Sequence, residues 1–396
     1  MNILFYCAEY PPYKTGGIGS VTKIFAEELV RRGHNVYVVG YYPENKSFPQ
    51  YSVINGVHIY RLNLGFRSNK IGNIIFRILH KLKLSFVVIQ KELKYTEDFI
   101  ANIIDQHNID LLELTDHYRF NISHKKLTYT KFNVPTILRV HGSISFLSDL
   151  RVEKKLNLID NDSQHFSRCD YISAVSQYSL NWVKTNYPTI KFKDEKVIYN
   201  PLEDKFLNKT DNSEDSKTIL FIGKIVETKG AYSLLKAFNI CASKDKDMRL
   251  RLIGGGDIEY AKTLVKPEFK NRVDFLGYCD RDTIKQEIDS CSFACIPSYF
   301  ETFGLVALEI MARNKALIFT ERTAGTEIII DGQDGFLVNP EDVNQIANRV
   351  LLLLNDEKMR NQFATNGYNK IKEEFVVSKM IIQIENCYEN IKKNNR

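Results

Sequence analysis

The sequence predicts an α/β protein built from two doubly wound domains, each a parallel sheet covered by helices on both faces. Three observations carry this prediction. Short strands rich in Val, Ile and Leu alternate with helical segments along most of the chain. The alternation breaks once, near residue 205, and then restarts. A chain of 396 residues also exceeds one compact core and suits two domains of ordinary size. The composition, 44% hydrophobic and 26% charged with 20 Gly and 10 Pro, excludes collagen-like, disordered and low-complexity classes.

The first strand is Ile3 to Cys7, followed by the Gly/Pro-rich loop through PPYKTGGIG. A helix runs from Ser20 to Val30 on the 3.6-residue spacing of its apolar positions, and Gly33 stops it. Asn35 to Val39 completes a βαβ unit. Ile109–Leu114, Thr136–Val140, Tyr171–Val175 and Lys196–Ile198 read as further short strands. Lys205 to Lys217 is polar and acidic, the best linker in the chain. Beyond it come the Thr218–Ile222 strand, the Tyr232–Ala242 helix and strands at Arg249–Ile253, Val273–Leu276, Phe293–Ile296 and Ala316–Phe319. The expected domains are 1–205 and 206–375, facing one another across a cleft, with a helical 376–396 segment returning to brace the first. Ligands of such sheets bind at the carboxyl ends of the strands.

Several classes drop out. No run approaches the roughly 18 apolar residues of a bilayer span, and the N-terminus lacks the basic region and apolar length of a secretory signal. The seven Cys form no CxxC pair, and Cys291 and Cys295 have no nearby His, so no metal site is expected; small buried hydrophobes in a reducing cytoplasm account for them. Dinucleotide binding fits poorly. Ala8 to Thr15 separate the first strand from Gly16, Gly17 and Gly19, and no acidic residue follows Val39 to hold a ribose.

Four loops are candidates for chemistry. Gly16 and Gly17, ahead of a helix, allow backbone approach to a phosphate, or form a plain turn. Gly254-Gly255-Gly256 follows a strand and reads as close backbone approach to a ligand, against a tight turn. Gly223-Lys224 to Lys229-Gly230 places two cations five apart, able to neutralise a diphosphate without a metal; solvated lysines are the plainer alternative. The fourth, Pro297 to Glu309, has the strongest pattern. Glu301 precedes a helix and Glu309 lies within it, at most about 12 Å further along the axis. Between them the N–H groups of Phe303, Gly304 and Leu305 offer an anion site. Glu309 sits among Leu305, Val306, Leu308 and Ile310, where a carboxylate needs hydrogen-bond donors such as ribose hydroxyls. Two surface glutamates on an amphipathic helix are the alternative. Asp116 and His117, after the Ile109–Leu114 strand, are expected to edge an acceptor site.

These residues carry a resemblance. The GGIG loop, RRGHNVYVV, VHG, AVS, IYNPLED, GKIVETKG, LIGGGD, FLGY and PSYFETFGLVALEIMA resemble, over nearly the full length, the group 1 or family 4 retaining glycosyltransferases of GT-B fold. The resemblance implies that Glu309 binds the ribose of a UDP- or GDP-sugar and Glu301 the transferred sugar, with Thr302 to Leu305 lining sugar and phosphates. Lys224 and Lys229 match the family's basic pair, although the family usually has Arg where Lys224 stands, so phosphate binding loses a planar fork. Gly17 is implied to approach the diphosphate and His141 the donor sugar, unless His141 is simply a core residue. The base is implied to rest against backbone near Tyr278 and Cys279. Same-face attack follows from the family picture, the leaving phosphate taking the acceptor proton.

The expectation is thus a retaining hexosyltransferase without cofactor or metal, transferring from a nucleotide sugar to a glycan or lipid-linked acceptor in surface polysaccharide synthesis. A nucleotide-sugar epimerase of the same fold and a non-catalytic nucleotide-sugar-binding module are the alternatives. Lys70, Arg77, Lys81, Lys83, Lys91 and Lys94 are offset only by Glu92, and Ile71, Ile74, Ile75, Ile78, Leu79, Leu82 and Phe86 form one helical stripe. Either this 70–94 helix docks on an anionic membrane from the cytoplasm, or its stripe packs on the first sheet. Nucleic acid is disfavoured, since no aromatic-basic interleaving accompanies the patch.

Overall fold

The computed structural model describes residues 1–12, 16–41, 49–63, 70–143, 158–207 and 217–395. The chain forms two units, Met1–Tyr199 with Met380–Arg396, and Asn200–Lys379. The passage between them therefore falls six residues earlier than expected. Most of the polar 205–217 stretch lies outside the described residues, as does Thr15 ahead of the first glycines.

In the first unit the strands are β1 (Asn2–Tyr6), β2 (Asn35–Tyr41), β3 (Tyr51–Ile54), β4 (Val57–Leu62), β5 (Leu111–Thr115), β6 (Thr136–Val140), β7 (Tyr171–Ala174) and β8 (Glu195–Val197). They order as β3-β4-β2-β1-β5-β6-β7-β8. The sheet is not wholly parallel. β3 pairs antiparallel with β4, turning through Asn55 and Gly56, both at positive φ. That two-residue Asn-Gly hairpin was legible in the sequence and was missed. β1, β5 and β6 are buried along nearly their whole length, which explains their unbroken apolar runs.

The first helix spans Gly17–Arg31, so Gly17, Ile18 and Gly19 form its opening turn rather than a loop before it. Gly19 is needed for packing, because a Cβ there would collide with the Glu9 carbonyl oxygen. The basic stretch also differs from expectation. It forms two helices, Lys70–Lys81 and Phe86–His107, broken at Lys83, whose φ is 60°. Phe76 and, on the second helix, Ile89 and Leu93 enter the core. The stripe of Ile71 (73% exposed), Ile74, Ile75, Ile78 and Leu82 faces solvent, joined by Leu84 and Val87.

The final helix, Val377–Asn394, returns residues from Met380 onward to the first unit. Tyr388 donates to Glu113 Oε2 at 2.5 Å, and Glu385 accepts from Arg32 Nε at 2.7 Å and lies 2.8 Å from His34 Nε2. Burial pushes the Glu113 carboxyl up, opposed by the Arg139 guanidinium and the Tyr388 hydrogen bond.

The second unit holds β9 (Thr218–Ile222), β10 (Arg249–Ile253), β11 (Val273–Gly277), β12 (Phe293–Ile296), β13 (Ala316–Thr320) and β14 (Phe336–Val338), ordered β11-β10-β9-β12-β13-β14 and parallel at every pairing. β9, β12 and β13 are buried throughout, and helices Ala231–Ala242 and Val343–Asn355 pack against one another. All seven cysteines are free thiols, six of them buried and Cys279 partly exposed.

Candidate active site

In a parallel sheet the carboxyl ends of all strands share one edge, and the crevice opens where the strand order reverses. In the second unit the chain runs outward from β9 through β10 to β11, then crosses back to β12 on the other side of β9. The loops after β9 and β12 meet at that reversal. Lys229, after β9, donates from Nζ to Glu301 Oε1 at 2.8 Å and lies 3.3 Å from the Phe300 carbonyl. Ser298 Oγ donates to the same Glu301 oxygen at 3.0 Å, while the Glu301 N–H is held by Thr323 Oγ1 at 2.9 Å. Gly230 makes this approach possible. Its φ is 74°, and a Cβ there would strike the Pro297 carbonyl.

Lys224 is exposed and has no ion-pair partner among the described residues, so the two cations of this loop differ in setting. The neighbouring glycines pack closely on one another's backbone. Ile225 N–H donates to Gly255 O at 2.8 Å, Gly223 N–H to Ile253 O at 2.9 Å and Gly254 N–H to Gly277 O at 2.7 Å. A Cβ on Gly254, at φ 136°, would collide with the Gly223 carbonyl. This strand end thus packs closely against the 223–225 loop.

Glu309 lies on the short helix Leu305–Met311 and is 7% exposed. Its Oε1 accepts from Arg281 Nη1, at the start of helix Arg281–Ser290. Burial pushes the Glu309 carboxyl up and the Arg281 guanidinium opposes the shift; Glu203 adds to it and Lys205 counters it. The sequence reading found the buried carboxylate and missed its partner. Only the Asp280 N-cap, which accepts from Thr283 N–H at 2.8 Å, was a readable signal there. Tyr278 is 85% exposed and its ring lies against Gly255; Cys279 follows it at the end of β11. Thr302 and Leu305 are half-buried, Gly304 caps the helix at φ 98°, and the Phe303 ring is buried 6.0 Å from that of Phe375. Phe303 can thus offer a ligand its backbone but not its side chain.

The remaining expected residues belong to the first unit and gather at the carboxyl ends of β5 and β6, with Gly16 and Gly17 exposed at the start of the first helix. Asp116 does not present itself to an acceptor. It is 1% exposed, and its two oxygens accept from the N–H groups of His141 at 2.9 Å and Gly142 at 2.8 Å. Burial pushes its carboxyl up to about 7 against those hydrogen bonds. His141 is half-buried; burial, then the nearby Arg139 and His117, hold its imidazole well below the usual range, so it is neutral. His117 is half-buried, its N–H donating to Thr115 Oγ1 at 3.2 Å. Below it, Arg168 Nη2 donates to His165 Nδ1 at 2.9 Å. The His165 proton therefore sits on Nε2 and reaches the Thr115 carbonyl at 2.9 Å.

Among the described residues no group of three or more His, Cys, Asp or Glu is placed to hold a metal ion, and no helix is long and apolar enough to cross a membrane. The second unit supplies a Lys229–Glu301 cation–carboxylate pair and, on the helix that follows, the buried Glu309 carboxylate, groups able to bind a phosphorylated polyol.

Known proteins agree with this architecture. The family model of glycosyl transferases group 1 matches residues 203–370, and that of glycosyltransferase family 4 matches residues 15–206. An uncharacterized glycosyltransferase of Methanocaldococcus jannaschii is 26% identical over 416 aligned residues, covering 98% of each chain. The capsular polysaccharide biosynthesis glycosyltransferase CapM of Staphylococcus aureus is 27% identical over 208 residues, 52% of this chain and 53% of its own. The structure of Anabaena HepE in complex with UDP and glucose superposes with a TM-score of 0.67 at 19% identity, covering 98% of this chain and 100% of that one. The two family matches together run from residue 15 to residue 370, and the chain is a group 1 glycosyltransferase of GT-B fold.

Proposed function

We propose that the protein transfers a hexose from a nucleoside diphosphate sugar to a hydroxyl of a glycan or lipid-linked acceptor, with retention of configuration. The observation that carries this reading is the Lys229–Glu301 pair at the strand-order reversal, on the same sheet edge as the buried Glu309. Glu309 accepts from the ribose hydroxyls. Lys229 and the exposed Lys224 neutralise the diphosphate without a metal, and Glu301 accepts from hydroxyls of the sugar. The base rests against backbone at Tyr278 and Cys279. By the resemblance, Gly16, Gly17 and the neutral His141, whose N–H is held by Asp116, are the substrate-binding groups of the first unit. Transfer breaks the bond from C1 to the diphosphate oxygen as the acceptor oxygen bonds C1 from the same face. The acceptor proton passes to the departing phosphate, so positioning and charge are the protein's main contribution.

The UDP bound to HepE supports a uridine donor, and the name of CapM supports a role in surface polysaccharide synthesis. The exposed Ile71–Val87 stripe, flanked by exposed Arg77, Lys81, Lys83 and Lys91, supports docking at the anionic cytoplasmic face of a membrane. The test is release of nucleoside diphosphate from UDP- and GDP-hexoses with and without glycan and polyprenyl-linked acceptors. Release that rises with acceptor, yielding a product of the donor's anomeric configuration by NMR, is expected. Turnover indifferent to acceptor, or an inverted product, contradicts the proposal.

A further inference from the structure

The Glu309 carboxylate is held from one side only. Arg281 engages Oε1, and no residue among those described donates to Oε2. The guanidinium is itself fixed. Its Nη2 lies 3.7 Å from Glu203 Oε1, and its central carbon lies 5.3 Å from the centre of the Phe206 ring. A planar cation held between two carboxylates and an aromatic ring has little rotational freedom, so it imposes a direction on the carboxylate it binds. A buried carboxylate without such a partner would take up a proton and lose half its acceptor character.

We propose that Arg281 is a positioning residue for the donor: it keeps Glu309 ionised and turned so that Oε2 meets the ribose, without itself touching base or phosphate. The assignment rests on the reading of Glu309 as the ribose acceptor. It makes discrimination between ribose and a ribose lacking hydroxyls a property of Arg281 as well as of Glu309. Arg281 is half-buried at a helix start.

The experiment is calorimetric titration of the full chain with UDP and GDP, each beside its 2′,3′-dideoxy analogue, for wild type, Arg281→Met and Arg281→Lys. Wild type is expected to prefer the ribonucleotide roughly tenfold or more. Arg281→Met should shrink that preference below about threefold while leaving affinity for the dideoxy analogue nearly unchanged, and Arg281→Lys should restore part of it. The preference is a ratio within each variant, so loss of folded protein cancels from it. Equal weakening of both nucleotides by Arg281→Met would mean that Arg281 contacts base or phosphate directly and would overturn the assignment, as would an unchanged preference. A wild type indifferent to the ribose hydroxyls would instead overturn the Glu309 reading, and this assignment with it.

Discussion

The Lys229 ammonium donates to the Glu301 carboxylate at 2.8 Å, joining the loops that follow β9 and β12. One of its remaining donors reaches the Phe300 carbonyl at 3.3 Å, leaving the ammonium able to turn toward a phosphate. Lys229→Met should lower kcat roughly 10²–10³-fold, the loss typical when one preorganised donor to developing negative charge is removed. Lys224, exposed and outside this pair, should affect donor KM more than kcat. Initial rates at varied donor concentration separate the two; a wild-type kcat for Lys229→Met would remove Lys229 from the machinery.

Gly230→Ala should destabilise the second unit and abolish nucleotide binding together. The left-handed backbone alone costs about 1–3 kcal/mol in a residue with a side chain, and the Pro297 carbonyl occupies the space of the Cβ. Gly33→Ala is the control, since its φ is 88° but its Cβ would meet nothing. Urea midpoints should fall further for the first variant. Equal shifts would show that backbone strain alone acts.

Asp116 is raised to about 7, so it is charged above that pH and neutral below it. Because its unfolded value is lower, about 3.9, the folded state holds the extra proton between the two. By linkage its contribution to stability falls as pH rises through that window. Activity should move the other way, rising toward pH 8 as the ionised carboxylate takes both N–H groups of His141 and Gly142. Asp116→Asn leaves one of those buried N–H groups unpaired, at about 1–3 kcal/mol, and should flatten the acidic limb of the pH–rate profile. A limb unchanged in Asp116→Asn assigns it to another group.

The sheets were largely legible because buried parallel strands write themselves as short apolar runs: Arg249–Ile253 and Phe293–Ile296 fall where the sequence put them. What went unread depended on neighbours distant in sequence. Spacing cannot show that the 223–225 backbone lies against the glycines at 254 and 256. Arg281 looked like any charged residue opening a helix, since Glu309 is 28 residues away. The stripe from Ile71 to Leu82 had the period of a packed face. Phe76, off that stripe, instead makes the contact with the core.

That exposed stripe predicts that the protein co-sediments with vesicles of anionic lipid at low salt. Each basic residue near the surface adds about 1 kcal/mol, so Arg77→Glu with Lys81→Glu should abolish binding, and Ile74→Glu with Ile78→Glu should weaken it severalfold. Wild type that stays in the supernatant, or variants that sediment as wild type, would contradict membrane docking.

The most direct test of a nucleotide-sugar site on the second sheet is binding of UDP and GDP to Glu309→Gln by calorimetry. The substitution keeps the shape of a buried side chain that sits beside Arg281 and removes its charge. Wild type should bind one of the two nucleotides, and Glu309→Gln should lose at least about tenfold, or 1.4 kcal/mol. Affinity equal in both proteins, or none in either, would contradict the account.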